Sequence, residues 1–208
     1  MMLYRFGKWL CGICLKISGL QIIGKENVPA DQPVLVIANH LSFADPPILA
    51  QAFPYHLTFI AKEDFAKHAF TRILFGALGA VFLKRGESDL SAMRRVLALL
   101  KEKHSAAIFP EGRRTFEQGL AEFQPGAAFL AARSNTPVVP VALVNSGHFF
   151  KFWKRDILMH VGEVIDPQQL DLPMHEKIPA LNQMFQESVA ALKQQSEDIL
   201  TERKRLPR

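Results

Sequence analysis

The sequence predicts an α/β fold: a mixed, largely parallel sheet flanked by helices, with an N-terminal amphipathic helix. Three observations carry that reading. Short apolar runs of strand length alternate with longer segments of helical period along most of the chain. Two polar clusters, at 39–45 and 109–115, each directly follow an apolar run, where open α/β sheets hold their ligands. Residues 1–20 carry Arg5, Lys8 and Lys16 and no acid, with Leu3, Phe6, Leu10, Ile13 and Ile17 at the spacings of one helix face.

The first segment is read as a helix with two open roles. The longest uncharged run there, Trp9 to Leu15, is far below the ~20 residues a span needs, and no small-x-small cleavage pattern follows it. One role is a helix lying in the lipid interface on Phe6, Lys8, Trp9, Leu10 and Ile13, with Trp9 and the cations near the headgroups. The other is a first helix packed into the core. Cys11 and Cys14 have C-x-x-C spacing but lie inside this helix, so they are expected to be reduced and structural. Gly19 to Glu26 nearly matches a phosphate-binding loop, but Glu26 stands where a hydroxyl would hold magnesium and Leu20 to Ile23 are too bulky for a cradle. It is read as a helix end followed by a strand start.

Strands are then expected at 34–38, 57–61, 80–83, 106–109, 138–144 and 157–161, and helices at 46–52, 70–78, 89–103, 126–133 and 177–200. The clearest helix is 89–103, with Leu90, Met93, Leu97 and Leu100 on one face and Ser88 as its N-cap. The domain reading is an amphipathic helix over 1–20, for which membrane docking is one role, a main domain over 21–200 and a basic frayed tail over 201–208.

Composition removes several function classes. Hydrophobic residues make up 49% and charged residues 22%, which excludes a disordered chain, and two cysteines exclude a disulfide scaffold. The net charge of +5 suits an anionic partner without choosing one. No two glycines sit two apart, so there is no dinucleotide loop, and there is no G-x-S-x-G elbow. Apart from His40 the histidines are scattered at 56, 68, 104, 148, 160 and 175, so no metal is expected. Nothing resembles a nucleic-acid-binding motif.

Chemistry is concentrated in the two clusters. His40, at the carboxyl end of the 34–38 run, is placed to act as a base, since neutral imidazole accepts a hydroxyl proton near pH 7. Asp45 is able to fold back through a turn, accept the other ring N–H and steady the imidazolium. Spacing alone favours a plainer role for Asp45, the N-cap of a helix entered through Pro46 and Pro47. The two roles are compatible, and spacing leaves open whether His40 merely ends a strand. In the second cluster Gly112 permits close backbone approach, and Arg113 and Arg114 suit bidentate phosphate binding, although paired arginines are commonly a solvated turn.

Asn39-His40-x4-Asp45 together with Phe109-Pro110-Glu111-Gly112-Arg113-Arg114-Thr115 resembles the glycerolipid acyltransferase family, of 1-acylglycerol-3-phosphate O-acyltransferase type. Gly79 to Arg85, Phe123 to Gly126 and Val138 to Leu143 agree with further blocks of that family in order and spacing, over roughly residues 20 to 165. Arg113, where the family usually has Thr, and Leu41-Ser42-Phe43-Ala44 inside the first block depart from the pattern and bear on the acceptor headgroup. The resemblance implies transfer of a fatty acyl group from acyl-CoA or acyl-carrier protein, as co-substrate and with no cofactor, to the 2-hydroxyl of lysophosphatidic acid, giving phosphatidic acid in phospholipid synthesis. It implies His40 as base, Asp45 as its orienter, and Arg85, Arg113 and Arg114 for the acceptor phosphate. Gly112 and its neighbours are expected to offer oxyanion N–H groups, and Glu111 to orient either the arginines or the glycerol. No positioned Ser or Cys nucleophile is evident, so direct attack in a ternary complex is expected. A lipid acceptor and product favour the interfacial role for the first helix, on an anionic membrane surface at the cytoplasmic face. The rival readings are another lysolipid, lipid alcohol or amine acceptor, a His-dependent thioesterase or lipid hydrolase, and a non-enzymatic lipid-binding protein. The short length leans toward lysophosphatidate.

Overall fold

A computed structural model of the chain describes residues 2–62, 80–83, 89–115, 119–149, 151, 154 and 156–205. Its strands are β1 (Gln21–Ile23), β2 (Leu35–Ala38), β3 (Leu57–Lys62), β4 (Ala80–Leu83), β5 (Ser105–Ile108), β6 (Val138–Val144) and β7 (Leu158–Val161). The described helices are α1 (Met2–Ile17), α2 (Asp45–Ala52), α3 (Asp89–Lys101), α4 (Gly126–Ser134) and α5 (Met174–Arg205), with short 3₁₀ turns between some elements. The strands form one sheet in the order β1-β7-β6-β2-β5-β3-β4. β2 pairs in parallel with both β5 and β6, and β3 in parallel with β5 and β4. β7 runs antiparallel to β6 and carries β1 in parallel beside it. The sheet is therefore mixed and largely parallel, as the sequence predicts.

Alternation along the central strands builds two core layers. Val36 and Ala38 of β2 join Leu15 of α1 and Ile48 and Leu49 of α2 on one face. Leu35 and Ile37 join Val96 and Leu100 of α3, Leu130 of α4, and Leu181 and Phe185 of α5 on the other. Both faces of β2 and β6 are covered, which is why these strands read as unbroken apolar runs.

Several boundaries differ from expectation for local reasons. α3 stops at Lys101 because Lys103 turns left-handed at φ 64° and its N–H returns to the Leu100 carbonyl. α5 is longer than 177–200. It begins where the Pro173 carbonyl accepts Glu176 and Lys177 N–H, and it runs through the tail expected to fray, as far as Arg205. Arg203, Lys204 and Arg205 suit the negative end of a helix dipole, and the Arg203 guanidinium meets the Gln21 side chain. Gly24, the last glycine of the near-match to a phosphate loop, has φ 71°, and a Cβ there would lie 2.0 Å from the Val161 carbonyl oxygen. That glycine serves a tight turn against β7. The helix expected at 70–78 and the Ser88 cap lie outside the described residues.

α1 lies along α2 and keeps one face for it. Leu15 is buried, the Tyr4 hydroxyl donates to the Tyr55 carbonyl, and the Gln51 amide donates to the Lys8 carbonyl at 3.2 Å. The opposite face is bare: Phe6, Trp9, Leu10, Ile13 and Ile17 are all exposed, Trp9 by 61%. Lys8 departs from the lipid-facing group. Its ammonium turns inward and donates to the Phe53 carbonyl at 2.5 Å, because the carbonyls ending α2 lack helical partners. Burial, with Lys25 nearby, pushes it below the usual lysine value. Among the described residues no helix is long and apolar enough to cross a membrane. Cys11 and Cys14 are free, and burial pushes the Cys11 thiol up.

Candidate active site

β2 ends at the site. Asn39 is fully buried and clamps β2 to β6: its side-chain amide donates to the Leu143 carbonyl at 2.9 Å, and its carbonyl accepts Leu143 N–H at 2.7 Å. The next residue, His40, is thereby launched from a fixed strand end, with 20% of its side chain exposed.

Asp45 completes a His–Asp pair. Its Oδ2 accepts His40 Nδ1–H at 2.6 Å, Leu41 N–H at 2.7 Å and Ser42 N–H at 2.8 Å. The carboxylate is fully buried, and these charge-assisted bonds replace water around it. The N-cap expected of Asp45 is not what it does. Ala44 occupies the cap position without a side-chain bond, and Asp45 is the first residue of α2 with its carboxylate turned back. The four residues between His40 and Asp45 form a turn wrapped around one oxygen. With the Nδ1 proton facing Asp45, Nε2 carries the lone pair and is the nitrogen able to accept a proton.

The 109–115 cluster converges on the same histidine. The Phe109 ring stacks on the His40 ring at 4.0 Å and 14°. Glu111 is almost fully buried, and its two oxygens are taken by the protein: Oε1 accepts His40 N–H at 2.7 Å, while Oε2 accepts the Thr115 hydroxyl at 2.9 Å and Ala121 N–H at 3.1 Å. Thr115 in turn donates its N–H to the His40 carbonyl at 2.8 Å, and its single hydroxyl proton is shared between Glu111 and that carbonyl, 3.2 Å away. Glu111, expected to orient arginines or glycerol, is a buttress for the backbone of His40.

Gly112 needs its freedom for the turn itself, at φ 67°. Its N–H donates to the Phe109 carbonyl at 3.1 Å, so the oxyanion role expected of that group is not open to it. The two arginines part company. Arg113 is exposed, whereas Arg114 is half-buried with its guanidinium carbon 3.6 Å from the centre of the Phe43 ring. Arg85 lies outside the described residues. The sequence marks Phe43 only as part of a departure from the family pattern, and Phe109 only as the first residue of a motif. Their signal there is only that each stands inside a polar motif. Among the described residues no three His, Cys, Asp or Glu side chains gather as a metal site.

A histidine oriented by a buried carboxylate, partly exposed and backed by the loop that carries Arg114, is suited to taking a proton from an alcohol. The family model described as Acyltransferase matches residues 19–144. A 1-acyl-sn-glycerol-3-phosphate acyltransferase of Borreliella burgdorferi is 32% identical over 145 residues, covering 66% of this chain and 58% of that protein. This chain thus spans little more than half the length of that relative. The Bacillus subtilis protein of the same name is 25% identical over 207 residues, 95% of this chain and 100% of its own. The crystal structure of the 1-acyl-sn-glycerophosphate (LPA) acyltransferase PlsC from Thermotoga maritima has the same fold, with a TM-score of 0.71 at 24% identity over 95% of this chain and 78% of that one. The matched segment runs over more than half the sequence and takes in both clusters around His40: the chain belongs to the acyltransferase family.

Proposed function

We propose that this protein is a 1-acylglycerol-3-phosphate O-acyltransferase, moving a fatty acyl group from acyl-CoA or acyl-carrier protein to the 2-hydroxyl of lysophosphatidate. The observation that carries the reading is the His40–Asp45 pair bonded through Glu111 and Thr115 to the loop that bears Arg114. The names of the Borreliella and Bacillus relatives support the reaction class.

In this mechanism Nε2 of His40 takes the hydroxyl proton as the oxygen attacks the thioester carbonyl carbon. The imidazolium is held by Asp45. The tetrahedral centre then collapses, the C–S bond breaks, and the departing thiolate takes the proton from His40. General-base help of this kind is worth roughly 10²–10⁴ in rate. Arg114 is the described cation suited to the acceptor phosphate, and Arg113 and Arg85 are further candidates for it.

Docking goes with this chemistry. The exposed face of α1, with Phe6, Trp9, Leu10, Ile13 and Ile17, lies in an anionic bilayer at the cytoplasmic face, while Arg5 and Lys16 meet headgroups. An enzyme held at the interface avoids extracting whole acyl chains, which would cost about 0.8 kcal/mol per CH₂.

Release of thiol from a long-chain acyl-CoA, and from the acyl-carrier-protein thioester, tests the reaction against a panel of lysolipids. Release is expected to depend on lysophosphatidate. Release without any acceptor would instead assign a hydrolase, and none under any condition a lipid-binding protein. For docking, Leu10→Asp with Ile13→Asp is expected to abolish co-sedimentation with anionic vesicles while leaving the fold intact. Unchanged co-sedimentation would remove α1 from the interface.

A further inference from the structure

Phe43 is a large apolar side chain left 52% exposed at the rim of the site. It lies inside the turn wrapped around Asp45, so its backbone neighbours are held by the Asp45 carboxylate. Its ring is the surface over which the Arg114 guanidinium lies, at 3.6 Å. Arg114 is carried between Gly112 and Thr115, and the Thr115 N–H is tied to the His40 carbonyl at 2.8 Å. Ring and guanidinium thus ride on two separate segments, one held through Asp45 to the His40 ring and the other through Thr115 to the His40 backbone.

The physical consequence is a cation with a set direction. A free arginine on a surface loop spreads over many rotamers, and ordering it on binding costs affinity. Laid over a ring, the guanidinium keeps its charge and is restricted to bonding through its edge; Nη1 is buried there, so a phosphate would be met by the other N–H groups of that edge. Neighbouring Arg113 is exposed.

We infer that Phe43 is a positioning residue for the acceptor: it holds Arg114 in place beside His40 for a lipid phosphomonoester, and so sets the preference for phosphorylated over unphosphorylated lipid alcohols. The inference rests on the acceptor assignment above.

The contact and its consequence are read separately on the full chain. In two-dimensional NMR the Arg114 side-chain N–H, identified by its loss in Arg114→Ala, is expected to be shifted by the ring and to move in Phe43→Leu. In steady-state kinetics Phe43→Leu is expected to raise KM for lysophosphatidate on the order of ten-fold, with kcat within about two-fold of wild type. Monoacylglycerol of the same chain length should show no such rise. Phe43→Tyr and Phe43→Trp restore the ring and should restore KM, and Phe43→Leu should add nothing in an Arg114→Ala background. An unmoved resonance overturns the inference. So does a leucine variant that behaves as wild type, one that loses kcat equally with both acceptors, or failure of tyrosine and tryptophan to rescue. A wild type that uses lysophosphatidate but ignores Phe43→Leu defeats the inference alone. A wild type that ignores lysophosphatidate defeats the acceptor assignment and the inference with it.

Discussion

Two His–Asp pairs stand at the same end of the sheet, following neighbouring parallel strands. His40 and Asp45 follow β2 at 2.6 Å, and His148 and Asp156 follow β6 at 2.8 Å. Their chemistry on paper is the same. They differ in what else each group holds. Asp45 is fully buried and collects two backbone N–H groups, whereas Asp156 keeps 16% of its side chain exposed. His40 has its ring stacked on Phe109 and its backbone bonded to Glu111 and Thr115. His148 sits in a 3₁₀ turn with Nε2 facing the Lys154 ammonium at 3.3 Å, which takes up the lone pair a base would use. A dyad becomes a base only when one nitrogen is fixed and the other left to accept. The second pair fixes both and closes the neck of a loop, where the Asn145 side chain also donates to the Asp156 carbonyl.

The contrast is open to direct attack. The largest expected effect is His40→Ala, a fall in acyl transfer of about 10²–10⁴ with an unchanged circular dichroism spectrum. His148→Ala should stay within about two-fold of wild type. Equal losses in the two variants, or near-normal turnover in the first, would erase the distinction. Asp45→Asn comes next. An amide oxygen still accepts the Leu41 and Ser42 N–H groups, but it does not stabilise an imidazolium, so turnover should fall by a factor of roughly 10² or more with little loss of stability. Asp156→Asn, by the same assay, should be silent.

Glu111→Gln sharpens the comparison from the backbone side. One buried bond loses its acceptor or its charge, which is expected to lower unfolding free energy by about 1–3 kcal/mol in urea titration and to slow turnover through His40. Lys154→Gln, at an exposed pair, should cost less than about 1 kcal/mol.

The smallest effect concerns a third histidine. Burial holds His160 below its usual 6.5, so the folded state resists its protonation and the unfolded chain binds the proton more readily. The sign follows: stability rises with pH across that window and is lost as pH falls through 6.5 toward the lowered folded value. His160→Gln should flatten the acid limb of the stability curve, and an unaltered limb would contradict it.

Much of this was legible in the sequence, and the misses share a cause. The strands at 57–61, 80–83 and 138–144 are found within a residue or so, because apolar runs bounded by turn residues are local signals. The polar clusters were legible as residue types at strand ends. For Asp45 the sequence offers two roles, a cap before two prolines and a carboxylate folded back onto His40, and the folded turn takes the second. The role of Glu111 stays open in the sequence because its partner His40 lies 71 residues away in the chain. Sequence alone offers the Gly112 N–H to an oxyanion although its own turn consumes it, and groups Lys8 with the helix face that the Phe53 carbonyl draws it away from.

By itself, then, the sequence determined where helices and strands form and which side chains carry acid, base and charge, because periodicity and residue chemistry act over a few neighbours. Tertiary structure alone decided which of two His–Asp pairs keeps a nitrogen available, which arginine lies on an aromatic ring, and which face of α1 stays bare. Those outcomes depend on atoms brought within about 3–4 Å from distant parts of the chain, and no local pattern encodes such distances.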